Sequence, residues 1–156
     1  QTCALPISYT EAHSGTQFVN DRQGQMSYQV SIAAESRHDQ LVLRMKHGPA
    51  VGLFFPRLFR SRSVAFSRKR MTRLPTDCLL GGGIDTMIGM LMYPDIMGPD
   101  EMGTPTYFMS ALRWRDETLV PMLQTYRDGM SLYVCSDYTE LGLSFTGVLI
   151  LEDGIH

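Results

Sequence analysis

The apolar stretches of this chain are short, and turns rich in glycine, proline and polar residues separate them. The longest apolar stretch, Val148–Leu151 with its neighbours, has the length of a β-strand. A helix that spans a bilayer needs about 18 or more consecutive apolar residues, and no stretch approaches that length. Short apolar stretches between turns are typical of sheet-rich domains. We therefore expect a sheet-rich fold with no membrane span.

Alternation of apolar and polar residues predicts several strands. Near the start, Thr16–Asn20 and Gln25–Ala33 are predicted strands around a turn. Within the second, Met26, Tyr28 and Val30 alternate with polar residues, and a period of two indicates a half-buried strand. Further strands are predicted at Leu41–Met45, Thr106–Trp114, Met130–Ser136 and Leu143–Glu152.

Helical spacing of apolar residues is found in two places. A short helix is predicted after Gly81–Gly83, and the strongest helical pattern is Leu119–Asp128, which has one apolar face. Arg57–Arg73 fits a helix or a strand, and its serines and β-branched residues favour extended structure. The sequence therefore predicts an α+β fold: a mostly antiparallel sheet of about five to seven strands with one or two helices packed on one face.

The first seven residues, Gln1–Ile7, have neither the basic region nor the apolar region of a signal peptide. One set of codons for them resembles the end of a widely used short-read sequencing adapter. We interpret them as translated adapter and expect them not to belong to the fold. This interpretation implies a gene read from environmental or bulk DNA. It also implies a reading frame that runs off its upstream end, so that the protein either begins earlier, the chain being a fragment of a longer one, or begins at Met26.

The remaining residues 8–156 have the size of one globular domain. Apolar residues make up 44% of the chain and charged residues 19%, a composition that excludes a disordered chain and a coiled coil. Cys78 and Cys135 lie far apart in apolar sequence, so we expect two buried thiols, although spacing alone does not exclude a disulfide. We expect a cytoplasmic protein.

Charge is divided unevenly along the chain. Residues 1–73 contain 11 Lys and Arg and 4 Asp and Glu, whereas residues 74–156 contain 3 and 12. No acidic residue lies between Asp39 and Asp77. An asymmetry of this kind suggests an anionic partner or a charged molecular face.

Half of all Lys and Arg residues lie in Arg57–Arg73, with two phenylalanines among them. Arginine pairs bidentately with phosphate and aromatic rings stack on bases, so this mixture suits nucleic acid or another phosphate-bearing ligand. The predicted contact residues are Arg60, Arg62, Phe66, Arg68, Arg70 and Arg73. The alternative is a structural or interaction module, in which the basic segment pairs with the acidic half of the same chain or of a second copy in a homo-oligomer.

Two further stretches allow a phosphate-binding interpretation. Glycines before a helix, as in Gly81–Gly83, can bind an anion through backbone N–H groups, but they also mark plain turns. Asp137–Gly142 reads D-x-T-x-x-G and follows an arginine cluster. This order resembles the PilZ family, and the resemblance implies a cyclic dinucleotide bound by Arg68 and Arg73 together with Asp137, Thr139 and Gly142. Thr139 stands where the family has serine, and the gap between the two motifs is longer than in the family. A hairpin turn explains the same residues.

Motifs for catalysis are missing from the sequence. None of the four histidines forms a zinc-binding pattern, and neither a P-loop nor a nucleophile-elbow motif is present. We therefore expect no metal and no cofactor, and the sequence favours a non-enzymatic binding module over an enzyme whose site is assembled only by folding.

Overall fold

A computed structural model describes residues 17–20, 24–25, 27–99, 101, 103–115, 118–126, 129–136 and 143–152. Gln1–Ile7, which we interpret as translated adapter, lie outside this part of the chain. Within it the strands are β1 (Gln17–Asn20), β2 (Val30–Ile32), β3 (Gly52–Arg60), β4 (Cys78–Leu80), β5 (Thr106–Phe108), β6 (Leu112–Trp114), β7 (Leu119–Tyr126), β8 (Gly129–Ser136) and β9 (Ser144–Leu151). The helices are α1 (Asp39–His47), α2 (Val64–Met71), α3 (Gly83–Met92) and the short α4 (Pro94–Met97), and a 3₁₀ turn covers Ala34–Ser36.

Seven of the described strands form one mixed sheet in the order β1-β8-β7-β5-β9-β3, and β4 also pairs with β9. The pairs β1–β8 and β5–β9 are parallel, whereas the other pairs of this sheet are antiparallel. β2 and β6 form a separate antiparallel pair. The predicted α+β class and mostly antiparallel sheet are confirmed.

Helices pack on both faces of the sheet rather than on one. On β9, Phe145 and Leu149 face α1, α3 and α4, because they belong to apolar clusters that contain Leu41, Met90 and Met97. Val148 points to the opposite face and packs with Met71 of α2. β9 is buried along almost its whole length because both of its faces are covered.

The predicted strand at Leu41–Met45 is wrong, because these residues lie within α1. Only Leu41 of this helix is buried, and Arg44, Lys46 and His47 occupy its last turn. Basic side chains in the last turn interact favourably with the carbonyl groups there, and this signal outweighs the short apolar run.

The predicted helix at Leu119–Asp128 is also wrong, because Leu119–Tyr126 forms β7 between β5 and β8. Its eight residues pair in register with β8, so backbone pairing decides the conformation rather than the helical period. Pro121 is tolerated inside the sheet because it lies beyond the β5 ladder, where its carbonyl accepts the Met109 N–H (2.9 Å).

The ambiguous segment Arg57–Arg73 contains both kinds of structure. β3 extends to Arg60, a turn follows with Ser61 at φ 49°, and α2 begins at Val64. The predicted strand Gln25–Ala33 is ordered as a strand only over Val30–Ile32, and Thr106–Trp114 is divided into β5 and β6. In the described part of the chain, no helix is long and apolar enough to cross a membrane.

Candidate functional site

Helix α2 carries three of the seven cations of the basic segment, and its sequence determines which of its sides faces solvent. The Ser63 hydroxyl accepts the Phe66 N–H at 3.0 Å and so caps the first turn. Val64, Ser67, Arg68 and Met71 are buried, because Val64 and Met71 pack into two apolar clusters beneath the helix. The opposite side of α2, with Phe66, Lys69 and Arg70, is exposed.

The predicted ligand residue Arg68 lies inside the protein, where it is 8% exposed. Its Nε donates to the Ser110 carbonyl (3.0 Å) and a terminal nitrogen donates to the Leu112 carbonyl (2.8 Å). Arg68 therefore holds α2 against the turn after β5 and the first residue of β6. It does not share a surface with Arg73, the other arginine of the PilZ-like pattern.

Five cations of the segment are exposed: Arg60, Arg62, Lys69, Arg70 and Arg73. Arg60 ends β3, Arg62 lies in the turn before α2, and Arg73 follows the helix. The ion pairs in the described residues are His38–Asp85 and Arg113–Glu35, so none of the five cations is paired with a described carboxylate. We call these five cations together with Phe66 the basic surface.

Phe66 provides an aromatic face on the basic surface. Its side chain is 42% exposed, and the Arg62 guanidinium carbon lies 5.2 Å from the ring centroid. Phe59 packs against the Phe66 ring in an edge-to-face arrangement, with the two ring centroids 6.5 Å apart. An aromatic ring held in this way next to guanidinium groups can stack on a planar base while the cations contact phosphates.

Sequence reasoning missed Lys69 as a candidate contact. Once α2 is recognised, Phe66, Lys69, Arg70 and Arg73 are spaced at i, i+3, i+4 and i+7, the period of one helix face. The predicted contacts Arg60, Arg62, Phe66, Arg70 and Arg73 are brought to the surface, whereas Arg68 is not. Asp137, Thr139 and Gly142 lie outside the described residues.

The N–H groups of Gly81 and Gly82 are already bonded within the protein and are not available to an external anion. The Gly81 N–H donates to the Gly147 carbonyl (2.7 Å), and the Gly82 N–H donates to the carboxylate of Asp85 (2.9 and 3.1 Å). The carboxylate of Asp85 thus occupies the N-terminus of α3, where an external anion would have to bind.

Asp85 and His38 form a buried pair on the sheet face opposite α2. His38 Nδ1 lies 3.1 Å from the Leu80 carbonyl, so this nitrogen carries a proton, and Nε2 lies 3.9 Å from Asp85 Oδ1. Burial raises the pKa of Asp85, although the charge of His38 and the Gly82 N–H oppose the shift. Burial and the charge of Asp77 likewise raise the pKa of the Cys78 thiol.

Other side chains that could bind a metal or react are dispersed in the part of the chain that the structure describes. There, no cluster of three or more histidine, cysteine, aspartate or glutamate side chains is arranged to bind a metal. Cys78 and Cys135 do not form a disulfide with each other; Cys78 is buried, whereas Cys135 is partly buried and its thiol donates to the Met122 sulfur (3.4 Å). Comparison with protein-family models, curated proteins and solved structures finds no significant match to this chain.

Proposed function

We propose that this chain is a non-enzymatic binding module and that its basic surface contacts the phosphate groups of a nucleic acid. The observation that carries the proposal is the exposure of five cations on and around α2, none of them paired with a described carboxylate. Exposed cations that contact the phosphates of a nucleic acid displace the counterions condensed on it, and this release favours binding.

The exposed ring of Phe66 supports single-stranded nucleic acid as the preferred form. A base in a duplex is already stacked on its neighbours, whereas an unpaired base can stack on an aromatic side chain. Arg62 lies over one face of the ring and leaves the ring partly exposed. The phosphates on either side of the stacked base would then contact Arg62, Lys69 and Arg70.

A self-associating module is the second candidate, and the same unpaired charges favour it. Asp77, Asp95, Glu101 and Glu152 are exposed residues of the acidic half, and no described residue of the basic surface pairs with them. Contact between the basic surface of one copy and these acids of another would neutralise both. Sedimentation velocity separates the candidates, because self-association makes the sedimentation coefficient rise with protein concentration when no nucleic acid is present.

The proposal is tested by binding of a fluorescein-labelled oligothymidylate, followed by anisotropy at low salt. The double variant R62A/R70A removes two cations of the basic surface and is expected to weaken binding roughly tenfold, since each phosphate contact contributes to a largely electrostatic affinity. The matched control R44A/K46A removes the same charge from α1, on the other side of the sheet. Equal losses in the two double variants would contradict a localised site.

A further inference from the structure

Strand β3 forms one edge of the mixed sheet. It is the last strand in the order of the sheet and pairs with β9 on one side, and no described strand pairs with its other side. An edge of this kind presents backbone groups that can pair with a further strand, and proteins commonly protect such edges with charged side chains. Residues Gly52–Pro56 carry no charge, so this part of β3 lacks that protection.

The pairing of β3 with β9 determines which backbone groups of β3 point outward. The Glu152 N–H donates to the Val51 carbonyl (3.0 Å), so the backbone groups of Val51 point toward β9. Positions that bond inward and positions that bond outward alternate along an antiparallel strand. Gly52 and Phe54 therefore direct their N–H and carbonyl groups outward, and Pro56 directs its carbonyl outward. The proline fits this place because the N–H that it lacks would face away from β9.

Two apolar side chains of β3 are exposed next to the outer edge. Leu53 and Phe55 are 56% and 42% exposed. They lie opposite Ile150 and Val148 of β9, which belong to the apolar cluster beneath α2. Residues directly opposite each other share one face of a sheet, so Leu53 and Phe55 both lie on the α2 side. Exposed apolar side chains beside an unpaired edge favour contact with another strand.

A second copy of β3 is complementary to this edge when it runs antiparallel and the pairing is centred on Phe54. The two Phe54 residues then exchange two hydrogen bonds, and the Gly52 N–H of each copy donates to the Pro56 carbonyl of the other. In the same register, Leu53 of each copy lies directly opposite Phe55 of the other, as a closely spaced pair. The exposed apolar side chains therefore cover each other, and the contact is self-complementary, as a two-fold axis requires.

Charge at the two ends of β3 favours the antiparallel arrangement over a parallel one. The exposed Arg60 ends the strand, whereas the exposed Glu152 lies beside its start, where its N–H donates to the Val51 carbonyl. Antiparallel pairing brings Arg60 of one copy toward Glu152 of the other. Parallel pairing would instead bring the two Arg60 side chains together, and like charges next to each other are unfavourable.

We propose that two copies of this chain form a two-fold dimer in which their β3 strands pair antiparallel across Phe54 and join the two sheets into one. This contact differs from an association of the basic surface with the acidic half, and it does not depend on nucleic-acid binding. A standard interface buries about 800 Å² per partner, and one pair of edge strands buries less, so the dimer is weak and reversible.

Sedimentation velocity in about 1 M salt tests whether the dimer forms, since the Debye length there is about 3 Å and the pairing of surface charges is screened. Backbone hydrogen bonds and apolar contacts persist under this condition, so the sedimentation coefficient is expected to rise with protein concentration. A rise that occurs at low salt and disappears at high salt would indicate association through charges and would overturn the β3 dimer. A coefficient that stays constant in both conditions would also overturn it.

Matched lysine variants locate the contact on β3. F55K places a charge opposite Leu53 of the second copy and is expected to weaken dimerisation about tenfold or more, because a lysine there must lose water without gaining a partner. L43K introduces the same charge at an exposed apolar position of α1 and is expected to leave dimerisation unchanged. Equal effects of F55K and L43K would contradict a contact through β3.

Disulfide cross-linking tests the register. Opposite residues of a closely spaced pair have Cα atoms about 4.5 Å apart, within the range of about 4.4–6.8 Å that a disulfide spans. A mixture of L53C and F55C is therefore expected to form cross-linked dimers severalfold faster than either variant alone, in which the two cysteines lie diagonally at about 7–8 Å. The unsubstituted chain measures the background from its own cysteines. Cross-linking of the mixture no faster than that of the single variants or of the unsubstituted chain would overturn the proposed pairing.

Discussion

At the scale of single residues, Asp85 both caps the start of α3 and carries a buried, titratable carboxyl group. Both of its oxygens accept the Gly82 N–H at the start of α3, and its side chain is buried beside His38. Gly82 has no room for a side chain, since an added Cβ would lie 2.5 Å from His38 Nε2. The glycine at this position therefore allows His38 to approach, and the resulting burial keeps the carboxyl group away from water.

This burial predicts an unusual dependence of stability on pH. The folded-state pKa of Asp85 is raised above the ordinary value of 3.8, so between 3.8 and the raised pKa the folded chain keeps a proton that the unfolded chain has lost. Stability from this group therefore falls as pH rises through that interval. The asparagine in D85N does not titrate in that interval. The free energy of unfolding of D85N minus that of the unsubstituted chain, measured in urea titrations, is therefore expected to increase as pH rises.

The control for this prediction is D39N, which neutralises an exposed carboxyl group at the start of α1. Its free energy of unfolding is expected to stay within about 0.5 kcal/mol of the unsubstituted chain across the same interval. Stability curves of D85N and the unsubstituted chain that run parallel in pH would show that the pKa of Asp85 is not raised on folding.

At the scale of secondary-structure elements, α2 is held to the sheet by packing and by Arg68. Arg68→Met keeps much of the apolar stem but removes the donors to the Ser110 and Leu112 carbonyls. We expect a loss of about 2–3 kcal/mol in the free energy of unfolding, because buried acceptors lose their partners. Arg70→Ala, on the exposed side of α2, is expected to change it by less than about 0.5 kcal/mol.

Chemical denaturation measures the free energy of unfolding of both α2 variants. A loss for Arg68→Met no larger than that for Arg70→Ala would mean that the Arg68 hydrogen bonds do not fasten the helix. Arg68→Met is also expected to bind the oligonucleotide as tightly as the unsubstituted chain, since Arg68 is buried and is not part of the basic surface.

Some elements could be predicted from their own residues and others could not. The strands at Met130–Ser136 and Leu143–Glu152 were predicted correctly from their strand-length apolar runs. The helix after Gly81–Gly83 was predicted correctly from its spacing, although Ile84 and Ile88 of its apolar face are partly exposed. β7 was not predicted correctly, because its conformation depends on pairing with β5 and β8, and local residue spacing does not reveal that pairing. α1 was missed because it buries little more than Leu41, so its apolar pattern is weak.

The candidate site was predictable as a segment but not residue by residue. The charge division of the chain indicates Arg57–Arg73, yet neighbouring arginines have opposite fates: Arg68 is buried and Arg70 is exposed. Which arginine is buried depends on how α2 is rotated about its own axis relative to the sheet. The packing of Val64 and Met71 sets that rotation. The apolar groove between α1, β3, α3 and α4 was not predictable, because these elements are distant in sequence.

At the scale of the whole molecule, the two faces of the sheet have different chemistry. The α2 side presents the basic surface, whereas the α1, α3 and α4 side presents an apolar groove with one carboxyl group. Binding at one side is therefore expected to leave the other side accessible.

The salt dependence of oligothymidylate binding tests the central claim most directly. If all five cations of the basic surface contact phosphates, the logarithm of the association constant falls with the logarithm of salt concentration at a slope of about −3.5 for a single strand. Anisotropy titrations between about 50 and 200 mM salt measure this slope. A slope near −3.5 that becomes shallower by about 1.4 in R62A/R70A is the predicted result. Absence of binding at the lowest salt, or a slope near zero, would contradict the account.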